Sequence, residues 1–177
     1  SEKAPNARGV RRVLQSLGGD VQEFDVFIQT LSNDASICGA LLTGNYPSEW
    51  VTPQFAAALG TERFTVLIDT LPNALTSTCD VLLPGATWME KAGTFENATG
   101  CLQSFKQAVR PKRWSKSEAQ IGIDLLAMRR GEATQTYCDA ATRGVMAEAG
   151  LGAMTSTVQH PSEAETQRES DMHLIVL

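Results

Sequence analysis

Three short groups of residues have the types and spacing that binding chemistry needs. Gly44 and Asn45 follow an apolar run and precede Tyr46-Pro47. Glycine there lets a phosphate or ribose approach the backbone, and the asparagine amide can bond a base or sugar. No G-x-G-x-x-G fingerprint is present, so the usual nicotinamide dinucleotide site is not expected. An ordinary strand-to-helix turn is the simpler account of the pair. Asp69 ends a second apolar run, where a carboxylate accepts hydrogen bonds from a ligand or, more simply, from neighbouring loop amides. The third group is Glu90-Lys91-x-Gly93-Thr94-Phe95-x-Asn97, whose adjacent opposite charges are expected to form an exposed pair of little energetic weight.

Other reactive residues point away from catalysis. His160 and His173 lie in or beside a polar tail, a poor setting for a rigid base or metal ligand, and no Ser-His-Asp constellation is supported. Cys38, Cys79, Cys101 and Cys138 are far apart and include no C-x-x-C pair. They are expected to be buried or isolated thiols rather than ligands of zinc or an iron–sulfur cluster. Trp50, Trp88 and Trp114 are expected to serve packing or interfaces.

The elements that must position these groups follow from periodicity. Val10, Val13, Leu14 and Leu17 recur at helical spacing over residues 6–17, with Gly18-Gly19 as the stop. Phe24, Phe27, Ile28 and Leu31 share a face of a second helix, broken by Ser32-Asn33-Asp34. Residues 37–43 form a continuously apolar run, the pattern of a parallel strand buried on both faces. A helix over 52–59 admits Pro53 in its first turn and stops at Gly60. Strands are expected over 64–69 and 81–83, with a helical turn over 73–78 between them. Alternating strands and helices predict a right-handed parallel α/β sheet, with ligands beyond the carboxyl ends of the strands. A tight loop over 89–93 leads to two short strands, 94–97 and 102–105. Ser117 is a plausible N-cap for a helix to Arg130, with Ile121, Leu125 and Met128 on one stripe. A further helix is expected over 136–149, a polar linker over 155–171, and a strand or the start of another domain at 174–177.

Composition limits the function classes. The 177 residues, 42% hydrophobic and 20% charged, suffice for one cored domain with an appendage. A net charge of −5 argues against a sequence-independent nucleic-acid binder. The densest basic stretch, Arg110, Lys112, Arg113 and Lys116, reads as a solvated connection. No run of about 18 apolar residues spans a membrane, and the first residues have no signal-peptide core. The missing initiator Met fits an excised fragment or a processed chain.

Residues 80–97, reading DVLLPGATWMEKAGTFEN, resemble a long signature of the molybdopterin oxidoreductases. In that family it runs approximately A-D-V-V-L-P-A-A-x-x-x-E-K-x-G-T-F-x-N, followed by an arginine and V-Q. Val66 to Asp69 and the turn to Cys79 resemble the strand and T-E-T-A-type segment before it. Gly44-Asn45-Tyr46-Pro47 resembles the family's G-x-N-P-type turn, and Pro5-Asn6-Ala7-Arg8-Gly9 a segment where the preceding domain hands over. The likeness covers about residues 5–130.

The resemblance implies a Rossmann-like, three-layer α/β domain over 1–154, a fragment of a larger subunit, with C-terminal helices and a tail over 155–177. It implies a cofactor cleft of Gly44, Asn45, Asp69, Gly93, Thr94 and Asn97 on one sheet edge. The resemblance implies molybdopterin guanine dinucleotide and iron–sulfur clusters elsewhere in the full subunit; none is expected to be held by this chain. One departure stands out: Gly100-Cys101-Leu102-Gln103 occupies the place where many active members carry Arg before V-Q. Losing that cation weakens an anionic-cofactor site. The departure leans towards the large iron–sulfur subunit of NADH–quinone oxidoreductase, whose corresponding domain generally lacks the molybdenum cofactor. The implied partners are the remaining domains of the same subunit and other subunits of a peripheral, cytoplasmic part of a membrane-associated complex. No nucleic acid and no membrane insertion are expected. An active enzyme such as a formate dehydrogenase, or a free-standing nucleotide-binding or interaction domain, remains the alternative.

Overall fold

A computed structural model describes residues 6–16, 18 and 22–137. The expected linker, the terminal strand, Leu17, Gly19, Cys138, both histidines and the boundary at 154 lie outside the described residues. So does most of the helix expected over 136–149; its first two residues, Thr136 and Tyr137, are non-helical.

Three strands, β1 (Gly39–Thr43), β2 (Phe64–Asp69) and β3 (Val81–Pro84), pair in parallel in the order β1-β2-β3. The register aligns Leu42 with Leu67 and Leu67 with Leu82. Aligned residues of neighbouring strands point to the same face. On that face lie helices α2 (Phe24–Asn33) and α3 (Pro53–Leu59). Ile28, Leu31, Leu42, Phe55, Leu59 and Leu67 form the core between them. The α/β class and the short parallel sheet expected from the sequence are those observed. Burial of the first strand on both faces is not: Leu41, and Phe64 of β2, on the opposite face, are 59% and 57% exposed, although Ile68 further along β2 is buried on that face. The apolar run reports what the strand can bury, but no helix among the described residues covers these two side chains.

Local chemistry explains the boundaries. Thr52 accepts a hydrogen bond from Phe55 N–H at 3.1 Å as the N-cap of α3, and Pro53 follows it. Gly60 ends the helix at φ 66°. In α2, Ser32 and Asn33, expected as breakers, are still helical, and Asp34 is the C-cap. Arg63 then ties the two helices to the sheet. Its Nε donates to Ile37 O, Nη1 to Ala58 O and Leu59 O, and Nη2 to Leu31 O and Asp34 O. One guanidinium thus satisfies last-turn carbonyls that a helix cannot satisfy itself.

After β3 comes a 3₁₀ turn, Trp88–Glu90, where a tight loop was expected. An antiparallel hairpin follows, β4 (Gly93–Glu96) with β5 (Leu102–Phe105). Helix α1 (Ala7–Ser16) docks on β4 through Gly9, where an added Cβ would lie 3.2 Å from Glu96 Cβ. The apolar stripe of α1 is not buried as its spacing suggests: Val10 and Leu14 are 52% and 41% exposed. Helix α4 (Glu118–Arg130) is capped by Ser117, whose side chain accepts from Gln120 N–H. Of its expected stripe only Ile121 is buried; Leu125 and Met128 are exposed, and Ala127 is buried instead. Of the described cysteines, expected to be buried or isolated, Cys38 is exposed and Cys79 and Cys101 are half-buried.

Candidate functional site

The carboxyl ends of the three strands meet at Asp69, Gly44 and Asn45. Gly44 follows β1 directly, its N–H donating to Ile68 O at 2.9 Å. A Cβ there would overlap the Asp69 carboxylate and come within 2.6 Å of Trp50 Nε1, so glycine is required by close approach. Asn45 takes a left-handed backbone, φ 73°, which asparagine tolerates. Its N–H donates to Asp69 Oδ1 at 2.9 Å, and its Nδ2 to Ala86 O beyond β3 at 3.3 Å. Its Oδ1 accepts from Thr70 Oγ1 at 3.2 Å. Asn45 therefore joins all three strand ends.

Asp69 is 7% exposed and holds a full set of donors. Oδ1 accepts from Asn45 N and from Thr70 N at 2.7 Å; Oδ2 accepts from Trp50 Nε1 and Asn73 Nδ2, both at 2.8 Å. Burial raises its pKa, but the bonds from Asn45, Trp50, Thr70 and Leu71 outweigh it and hold the carboxyl below its ordinary value. These donors are neutral, so they satisfy the oxygens without cancelling the charge. Beside Asp69 is a cavity of about 190 Å³ lined by Tyr46, Glu49, Trp50, Leu71 and Asn73 among others.

The signature loop is also internally bonded. Glu90 closes a capping box, accepting from Thr87 N at 2.8 Å and Thr87 Oγ1 at 3.0 Å, and takes Lys112 N at 3.0 Å. The Thr87 N–H is the largest influence holding this carboxyl below its usual range, against a smaller effect of burial. Glu90 and Lys91 do not pair with each other, contrary to the sequence expectation. Alternate directions along the loop send Lys91 to Glu118, with Nζ–O distances of 2.8 and 3.0 Å. Gly93 makes room for a ring, since a Cβ would come within 2.9 Å of Phe105 Cζ. The Thr94 hydroxyl meets Ser104 Oγ at 3.1 Å. Asn97 Oδ1 accepts from Thr99 N, Thr99 Oγ1 and Cys101 N at 3.0, 2.8 and 2.9 Å, closing the hairpin turn at Gly100, φ 85°.

The structure thus brings Gly44, Asn45 and Asp69 together. Gly93 and Thr94 instead line a second, more apolar cavity of about 320 Å³ with Val10, Leu14, Phe95 and Phe105, and Asn97 sits in the hairpin turn. The two cavities have no lining residue in common. Sequence reasoning missed Trp50 and Asn73 as partners of Asp69; only Asn73, in the turn chemistry after β2, carried a signal. It also missed Glu96, which is 2% exposed, bonded through Oε1 to Arg12 Nη2, with Oε2 unpartnered. A lone carboxylate alternating into an apolar hairpin was the available clue.

A pterin guanine dinucleotide does not fit the strand-end cavity by itself. Ligand pockets usually measure roughly 300–1,000 Å³. No Lys, Arg or His lines this one, which carries the carboxylates of Glu49 and Asp69. Cys101, where the family signature has arginine, offers a short thiol side chain in the hairpin turn. Among the described residues no group of three or more His, Cys, Asp or Glu could hold a metal ion, and no helix is long and apolar enough to cross a membrane.

Residues 16–127 match the family model for molybdopterin oxidoreductase. A nitrate reductase of Symbiobacterium thermophilum is 34% identical over 64 residues, 36% of this chain and 8% of that protein. The matched stretch is therefore a small part of that relative. The family match takes in the three-stranded sheet, the Asp69 cluster and the signature hairpin, and on it the chain belongs to the molybdopterin oxidoreductase family.

Proposed function

We propose that the chain is a structural α/β module of a larger electron-transfer subunit, with a degenerate molybdopterin cradle. The finer assignment is the large iron–sulfur subunit of NADH–quinone oxidoreductase. One observation carries the reading: the polar groups at the strand ends are spent on one another, around an uncancelled carboxylate charge. Gly44, Asn45 and Asp69 are what remains of the cradle at the strand ends, Gly93, Thr94 and Asn97 belong to the signature hairpin, and Cys101 stands in that hairpin's turn where the family signature has a guanidinium to offer an anion. The chain's partners are the other domains of its own subunit and neighbouring subunits. The exposed apolar residues Leu41, Phe64, Trp114 and Met128 support a module built against other polypeptide.

A second reading, a domain of an active molybdenum enzyme, is favoured by the likeness to the nitrate reductase. The two separate on the native subunit that contains this chain. Molybdenum and released pterin are measured, together with NADH oxidation and nitrate reduction. The structural reading expects neither molybdenum nor pterin, with NADH oxidised by the complex. Stoichiometric molybdenum with nitrate reduction would establish the second reading.

A further inference from the structure

We propose that the strand-end cavity is a receptor for a guanidinium or alkylammonium cation. The inference rests on the degenerate-cradle reading and names what the cavity accepts in place of an anion. Its walls combine two aromatic rings and two carboxylates. Tyr46 and Trp50 pack on each other as a tilted pair, centroids 6.3 Å apart and planes at 46°, and both line the cavity, so a cation there meets aromatic wall beside the carboxylates. Asp69 forms the floor, its charge retained because every donor on it is a neutral N–H. Glu49, at the exposed side, uses only Oε1, accepting from Val51 N at 3.3 Å, which leaves Oε2 for a ligand. No cation among the lining residues competes for this field, so phosphate is repelled and a cation attracted. About 190 Å³ admits a guanidinium with adjoining methylenes, and Leu71 and the two prolines Pro47 and Pro72 supply apolar wall for those methylenes.

The cation has two possible sources, an arginine or lysine of adjoining polypeptide and a free small molecule. The test reads Trp50 fluorescence in the full chain. Trp88 and Trp114, 61% and 84% exposed, are replaced by phenylalanine so that Trp50 reports alone. The chain is titrated with Nα-acetyl-arginine methylamide, with agmatine, with the neutral citrulline analogue and with GDP. Saturable change with a millimolar dissociation constant is expected for at least one cation, and about tenfold weakening in Glu49→Gln. That variant can still accept from Val51 N, so the fold is kept. Tighter binding of the arginine amide identifies a polypeptide source, and tighter binding of agmatine a small-molecule one. No response to either cation, an equal response to the citrulline analogue, or no effect of Glu49→Gln overturns the proposal while leaving the degenerate cradle intact. Saturable binding of GDP in preference to the cations overturns both.

Discussion

Replacing Asp69 by asparagine changes one atom and tests how the strand ends are held. Each carboxylate oxygen accepts at least two good hydrogen bonds, so an amide nitrogen at either position faces two donors. If Nδ2 takes the Oδ1 position, the N–H groups of Asn45 and Thr70 lose their acceptor. If it takes the Oδ2 position, Trp50 and Asn73 do. Asn73 cannot turn its amide over without cost, because its Oδ1 already accepts from Leu75 N at 2.9 Å. Hydrogen bonds to a charged acceptor contribute about 1.5–3 kcal/mol each, so two lost bonds destabilise by about 3–4 kcal/mol after allowing for relaxation. With a urea slope of about 2 kcal/mol/M, the unfolding midpoint falls by about 1.5–2 M. The pH dependence has a definite sign. Asp69 has a lowered pKa in the folded chain, so its contribution is fully present above the unfolded value and is lost as pH falls through the folded one. The wild-type and Asp69→Asn stabilities therefore converge below about pH 3.9, the unfolded value for aspartate. Asp34, Glu90 and Asp124, also lowered, are common to both proteins and cancel in the difference. Urea titrations at pH 7 and in steps through the acid range measure it. A midpoint unchanged at pH 7, or a difference that persists undiminished at low pH, would refute the reasoning.

Arg63→Met leaves the carbonyls of Ile37, Ala58, Leu59, Leu31 and Asp34 without their common donor, and should cost about 3–5 kcal/mol in urea unfolding. Arg63→Lys should recover only part of it, because an ammonium lacks the planar fork. Gly44→Ala should displace Trp50 from Asp69, destabilise by at least about 2 kcal/mol, and shift the Trp50 emission in the background that lacks the other tryptophans. Arg12→Ala strands the buried Glu96 carboxylate and should cost about 3 kcal/mol, whereas Lys91→Ala leaves Glu118, 31% exposed and open to hydration, and should cost under about 1 kcal/mol.

The sheet was legible because its signals are local. Strand 64–69 shows as one apolar run, and Thr52-Pro53 and Gly60 mark both ends of α3 without reference to the rest of the chain. Asn45 and Asp69 were singled out because strand ends attract polar turn residues, and the structure adds that they bond to each other. What could not be read depends on distant partners. The spacing of Val10 and Leu14, or of Leu125 and Met128, shows an apolar face but not whether anything covers it. Lys91 chooses Glu118, 27 residues away, over the adjacent Glu90, a choice set by the hairpin and α4 together. Likewise the likeness of residues 80–97 to one signature suggested one cleft, whereas Gly93 and Thr94 line a cavity that shares no residue with the one at the strand ends.

The degenerate cradle is tested most directly by calorimetric titration of the full chain with GDP, alongside Cys101→Arg. The account predicts no saturable heat from the unmodified chain in the micromolar range, and a gain of tenfold or more in affinity, corresponding to about 1.5–3 kcal/mol, on introducing the guanidinium. Micromolar binding of GDP by the unmodified chain would contradict it.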